Sequence, residues 1–282
     1  MNLHQLIDLF DAALRAQAIS ACERIDYFSR QFLGMPYLGG AQGEGELGEF
    51  DQSPLWRFDV FDCLTYVNNV LALSLSRNKT EFVKKLLQIN YYDSIAKYEN
   101  RFHFMSVDWN LQNQKNKIVT DITASIADVA YAEGEIDRPN WFLHRSEKDI
   151  KLLKPLLANE MKKRLEKLKE ISKKVKKEWT RVPYLPLTSL FDVFDKIPHA
   201  AIIEIVRPNW NLKEKIGTNL HVSHLGFAIR RKNELFFRHA SSEKKQVVEV
   251  LLSEYLKNCL SSETIKGINI HMLSCHPIPP VT

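Results

Sequence analysis

Cys63 is the residue of this chain best suited to covalent chemistry. It follows Asp62 and opens the apolar run Leu64-Thr65-Tyr66-Val67-Asn68-Asn69-Val70-Leu71-Ala72-Leu73, which predicts a buried helix over about 63 to 76. A cysteine at a helix start meets unpaired N–H groups and the positive end of the helix dipole, and both favour a thiolate. Two β-like runs much later each carry a histidine: Leu220-His221-Val222-Ser223-His224-Leu225-Gly226-Phe227 and Leu235-Phe236-Phe237-Arg238-His239-Ala240. Fifteen residues separate His224 from His239, with a turn at Arg231-Lys232-Asn233-Glu234 between them. Adjacent antiparallel strands lie about 4.8 Å apart, so the two imidazoles could touch. One could act as base while the second fixes its tautomer, which completes a nucleophile, base and orienter.

Each residue also has a plainer reading. A cysteine in an apolar run is often an inert core side chain, and a strand histidine is often a satisfied core group. Two features favour chemistry at Cys63: its position at the helix start, and the glycine-rich loop that leads to it. The two-residue strand period puts His224 on one face with Val222, Gly226 and Ala228, which leaves room beside the imidazole. His221, Ser223, Leu225 and Phe227 point the other way. Zinc ligation by His221, His224 and His239 is a rival use, but positions 221 and 224 face opposite sides of a strand. No metal and no cofactor is expected.

The elements that must position these residues are legible in outline. Two helical stripes, Leu3-Leu6-Ile7-Phe10-Ala13-Leu14 and Ala21-Ile25-Phe28-Phe32-Leu33, predict N-terminal helices over about 1 to 33. Turn signals from Gly34 onward predict a loop to about residue 56, and a further helix is expected over about 79 to 89. Alternation between 100 and 109 predicts an extended segment exposing Arg101, His103 and Asp108. The spacing of Met161, Leu165, Leu168, Ile171, Val175 and Trp179 predicts one or two long helices over about 146 to 179, within a lysine-rich insertion from about 140 to 182. Strands are expected at 200–206, 221–231, 234–239 and 267–273, with a helix at about 247–259. Helices first and strands later argue for an α+β chain.

The composition bounds the rest. With 282 residues, 45% of them apolar, the chain can bury a substantial core. Its net charge of +5 sits mainly in the lysine-rich segment, which reads as a solvated helix face or as a contact for an anionic polymer or membrane surface. No zinc-finger spacing accompanies it, and no nucleic-acid partner is expected. Cys22, Cys63, Cys259 and Cys275 are scattered without a CxxC. A Cys259–Cys275 disulfide beside a free Cys63 is one open arrangement. No run reaches the ~20 apolar residues that span a bilayer, so no transmembrane segment is expected. The first residues lack a basic region followed by an apolar one, which fits a cytoplasmic chain or an exported one without its signal.

Gly34-Met35-Pro36-Tyr37 with Gly39-Gly40, Asp62-Cys63-Leu64-Thr65-Tyr66-Val67, His224-Leu225-Gly226-Phe227-Ala228-Ile229 and His239-Ala240-Ser241 resemble the NlpC-type branch of papain-like cysteine peptidases. Arg101-Phe102-His103-Phe104 before Asp108-Trp109 is similar to the bacterial N-acetylmuramoyl-L-alanine amidase-like family within it. The resemblance touches about 34–109 and 198–242. Asn68 stands where the family commonly carries an acid.

The resemblance implies an α+β papain-like fold over 1–282, a single catalytic domain in which a helical lobe with Cys63 packs on an antiparallel sheet with the histidines. It implies Cys63 as nucleophile, His224 as base, His239 as orienter and Tyr37 as a donor to the oxyanion. Asp62 accompanies the nucleophile, and Arg101 and His103 would stand at the rim, where Arg101 could clamp a stem carboxylate or form a structural ion pair. The implied partners are peptidoglycan fragments or muropeptides, in the periplasm or outside the cell. The implied reaction is hydrolysis of the bond between N-acetylmuramic acid and L-alanine. A stem-peptide endopeptidase cutting after D-glutamate and a non-catalytic binding protein are the alternatives.

Overall fold

A computed structural model describes residues 20–274. The stripe expected at 3–14 and Cys275 lie outside the described residues. Helices α1 (Ala21–Gln31), α2 (Cys63–Ser74) and α3 (Lys79–Asn90) come first. Later come α4 (Ala158–Glu170) and α5 (Leu252–Cys259). The strands are β1 (Val119–Asp121), β2 (Ala130–Ile136), β3 (Glu178–Pro186), β4 (Ala201–Asn211), β5 (Asn219–Arg231), β6 (Glu234–Ser241), β7 (Gln246–Leu251) and β8 (Gly267–Leu273). They pair antiparallel in the order β2-β3-β8-β4-β5-β6-β7, with β1 also on β8. The fold is therefore α+β with an antiparallel sheet.

The sheet carries apolar clusters on both faces. On one, Leu225, Phe227, Ile229 and Ala240 pack with Phe28, Phe32, Tyr66, Val67 and Val70 of α1 and α2 and their flanks. On the other, Ala228 and Phe237 pack with Leu252 and Leu256 of α5. Every residue of α2 from Tyr66 to Ser74 is buried, as a helix apolar on all sides requires. Among its polar members, Asn68 accepts from Trp109 Nε1 at 2.9 Å and donates to Asn90 Oδ1 at 2.6 Å. The buried Arg24 of α1 donates to the Leu73 and Ser74 carbonyls at 3.0 and 2.8 Å, and to that of Ser76, closing the C-terminal end of α2.

Several expectations need correction. The long helix over 146–179 shrinks to α4: Pro155 bars a helix running through it from residue 146, and Trp179 lies on β3, 72% exposed. The helix expected at 247–259 begins at Leu252, because Gln246–Leu251 form β7 against β6. That segment carries Val247, Val248 and Val250, whose branched side chains suit a strand. The extended segment at 100–109 turns into a π-helical turn at Met105–Trp109, and Asp108 is buried, paired with Arg138. Strands β1, β2 and β3 had no expectation; β2 alternates buried and exposed positions, but its Gly134 and short length hid the pattern.

Candidate active site

Asp62 builds the N-terminus of α2. Its Oδ1 accepts from the Thr65 amide at 2.8 Å, and Thr65 Oγ1 accepts from the Asp62 amide at 2.9 Å, a reciprocal capping box. Asp62 Oδ2 accepts from the Gly40 amide at 3.0 Å. The glycine-rich loop is thus fastened to the helix end. Tyr37 stands on the same loop, held by its amide to the Lys245 carbonyl at 2.9 Å. Burial, with Cys63 and then Asp62 nearby, raises the Tyr37 phenol pKa and keeps it a donor.

Cys63 keeps part of its surface accessible. The backbone N–H groups of Leu225, Leu64 and Cys63 itself act to lower its thiol pKa. The first belongs to β5, so the sulfur lies against the strand that carries His224. These donors favour a thiolate, but burial outweighs them and the Asp62 carboxylate adds to it; the thiol is pushed up to about 12. The thiolate expected from the helix dipole is opposed chiefly by burial and then by the Asp62 carboxylate at the helix end.

His224 Nε2 lies 2.7 Å from His239 Nδ1, with the rings nearly perpendicular at 85°. The ladder between β5 and β6 is paired from Arg231↔Glu234 to Phe227↔Arg238 and is not continued to Gly226 and His239. The missing side chain at Gly226 matters here: a Cβ would come within 2.7 Å of His239 Cβ, Phe237 Cε2 and the Arg238 carbonyl. A register shift against β4 leaves Ser223 as an extra residue between Val222 and His224. The expected common face of Val222 and His224 is interrupted there. Burial drives both imidazoles toward neutrality, His224 down to about 4 and His239 down to about 3, the latter also through its neighbour.

The two histidines line a cavity of about 220 Å³ with Arg207, Trp210, Ser223 and Tyr255. Tyr255 packs against His239 at 5.3 Å and Phe237 at 4.8 Å between centroids. Neither Tyr255 nor Arg207 was flagged by sequence, since α5 and the end of β4 carry no motif. A larger hollow of about 640 Å³ lies by Arg230 and Lys232 at the far hairpin and holds none of these residues.

Arg101 and His103 are not brought to this cavity. Arg101 binds Glu44 through Nε at 2.7 Å and Asp51 at 3.2 Å, and lies over the Tyr98 ring. That is the ion-pair alternative to a substrate clamp. Burial lifts the Glu44 carboxyl to about 7 despite Arg101. His103 Nε2 is 2.7 Å from the Tyr98 carbonyl, its ring packs on Trp141 and Tyr98, and burial holds its pKa well below the ordinary range. His221 Nδ1 accepts from the Asn209 amide at 3.2 Å, away from the pair. Among the described residues no group of three or more His, Cys, Asp or Glu side chains is arranged to hold a metal ion. Cys63 and Cys259 are free thiols among the described residues, and Cys275 of the open Cys259–Cys275 arrangement lies outside them. No described helix is long and apolar enough to cross a membrane.

Known proteins share this framework. The crystal structure of protein LPG0564 from Legionella pneumophila is 42% identical, with TM-score 0.91 over 95% of this chain and 94% of that one. An N-acetylmuramoyl-L-alanine amidase from Bacteroides uniformis is 24% identical, with TM-score 0.64 over 90% of this chain and 99% of its own. A Bacteroides fragilis protein provisionally assigned as a xylanase is 23% identical, with TM-score 0.62 over 87% and 98%. At the last two identities the likeness is one of fold. No curated protein matches the sequence. The family model described as AmiA-like, N-acetylmuramoyl-L-alanine amidase-like, matches residues 27–264, and the chain belongs to that family.

Proposed function

We propose that the protein is a cysteine-dependent amidase with a papain-like, NlpC-type arrangement in one catalytic domain, which hydrolyses the bond between N-acetylmuramic acid and L-alanine in muropeptides. The observation that carries this reading lies on β5: His224 is bonded to His239, and the following Leu225 belongs to the core cluster on which Cys63 packs. Family membership and the fold shared with a named amidase support the substrate class.

With a neutral thiol and neutral imidazoles at rest, the reaction is general-base catalysis at sulfur. If His224 Nε2–H donates to His239 Nδ1, the second nitrogen of His224 is left unprotonated to take the thiol proton. The sulfur attacks the lactyl amide carbonyl as that proton transfers. The oxyanion meets the amide of Cys63 at the α2 N-terminus and the Tyr37 hydroxyl. Collapse breaks the C–N bond, His224 returns the proton to the alanine nitrogen, and a thioester remains on Cys63. Water, deprotonated by His224, adds to the thioester. The lactyl acid leaves and the thiol is restored. Such a substrate fits an enzyme working in the periplasm or outside the cell.

Mass spectrometry of digested muropeptide tests the reading. Free N-acetylmuramic acid with an intact peptide is expected, and the Cys63→Ala chain should release neither. A peptide split beyond its second residue would instead assign a stem endopeptidase.

A further inference from the structure

Arg207 is half-buried and is placed differently from the arginines of the ion pairs. Arg101, Arg138 and Arg238 each meet a carboxylate. Arg207 meets two hydroxyls, Ser223 Oγ from Nε at 3.1 Å and Thr264 Oγ1 from Nη1 at 2.6 Å. Its guanidinium carbon lies 4.5 Å from the Trp210 ring centroid. Among the described residues no carboxylate is within ion-pair distance of it. It lines the same cavity as His224, His239 and Tyr255. Its charge reaches that cavity, since it opposes the upward shift of the Tyr255 phenol.

An arginine held in place by neutral hydroxyls and an aromatic ring, with no counter-ion, is preorganised for a planar anion. The direction of the reaction says which part of the substrate arrives there. The leaving nitrogen must sit at His224 to receive its proton, and Ser223, which holds Arg207, is the next residue. The peptide beyond the scissile amide therefore enters the cavity, and the carboxylate of its second residue lies roughly 7 Å from the nitrogen in an extended chain. Glu243 also lines the cavity, but its side chain is 83% exposed and pairs with Lys244 at 3.4 Å.

We infer that Arg207 is a specificity-determining residue that docks a free carboxylate of the peptide on the leaving-group side, a role the sequence had offered to Arg101. The inference rests on the amidase reading for the bond cut, but the binding it asserts is separately measurable. The probes are N-acetylmuramoyl-L-alanyl-D-glutamate and the same compound with the glutamate α-carboxylate converted to the carboxamide.

Calorimetry with the Cys63→Ala chain should show the carboxylate form bound about 10- to 100-fold more tightly, the range of one charge-assisted hydrogen-bonded contact. Adding Arg207→Met should erase that ratio and leave the carboxamide affinity nearly unchanged, while Arg207→Lys should retain part of it. A ratio near one with Arg207 present, an equal loss for both compounds in Arg207→Met, or no binding of either compound overturns the inference. If Arg207→Met does not fold, the ratio measured with Arg207 and with Arg207→Lys still decides. Failure of the amidase reading looks different: products cut elsewhere, or none, with the carboxylate preference intact.

Discussion

His224 Nε2 lies 2.7 Å from His239 Nδ1, and if His224 is the donor across this contact its other ring nitrogen is left unprotonated. Replacing His239 with Ala is expected to lower kcat by about 10²- to 10⁴-fold, the range of a general acid–base contribution, with KM nearly unchanged. Steady-state kinetics on a muropeptide checks this. A fall in KM-dependent terms alone would remove the orienting role.

The depressed imidazoles set the acid side of the pH profile. Their protonated forms are disfavoured by folding, so the stability they lend is complete above the ordinary histidine pKa of about 6.5 and is lost as pH falls toward about 4 and 3. Activity of the free enzyme should therefore persist at pH 6 and decline between about 5 and 4. Denaturation midpoints measured from pH 7 to 3.5 should fall more steeply than those of a His239→Gln chain.

A neutral resting thiol predicts slow alkylation. With Cys63 pushed up to about 12, only about one molecule in 10⁵ carries the thiolate at pH 7. Iodoacetamide labelling of Cys63, located by peptide mapping, should be slower than that of a free thiol and should rise with pH beyond 9. Fast labelling at pH 6 would instead indicate a thiolate–imidazolium pair.

The ion pairs of Arg101 predict a part in stability. Arg101→Met strands Glu44 and Asp51, whose side chains are 1% and 4% exposed, and should cost about 3 kcal/mol in urea denaturation. Glu44→Gln should cost less, since that carboxyl already titrates near 7. Neither change should alter kcat/KM per folded molecule by more than a few fold.

Gly226→Ala tests the packing that makes the pair possible. The added methyl meets backbone and side-chain atoms at 2.7 Å, so β6 must shift. A loss of about 1–3 kcal/mol is expected, as for overpacked cores, together with a fall in kcat. Unchanged kcat would show that His239 holds His224 through a displaced strand.

Much of the site was determined locally. Asp62 and Thr65 specify where α2 begins, the apolar run specifies that it is buried, and the branched runs around Arg231–Glu234 specify a hairpin that carries two histidines. Caps, periods and turns act over a few residues, so the sequence by itself contains them. Only the tertiary structure decided how charges and protons are balanced, because that depends on partners far apart in the chain. Glu44 and Arg101, 57 positions apart, neutralise each other and leave the cavity without the clamp expected of Arg101. Arg207 lines the cavity beside His224 with no carboxylate among the described residues within ion-pair distance, and burial by β5 and the helical layer keeps Cys63 a thiol despite its place at a helix start.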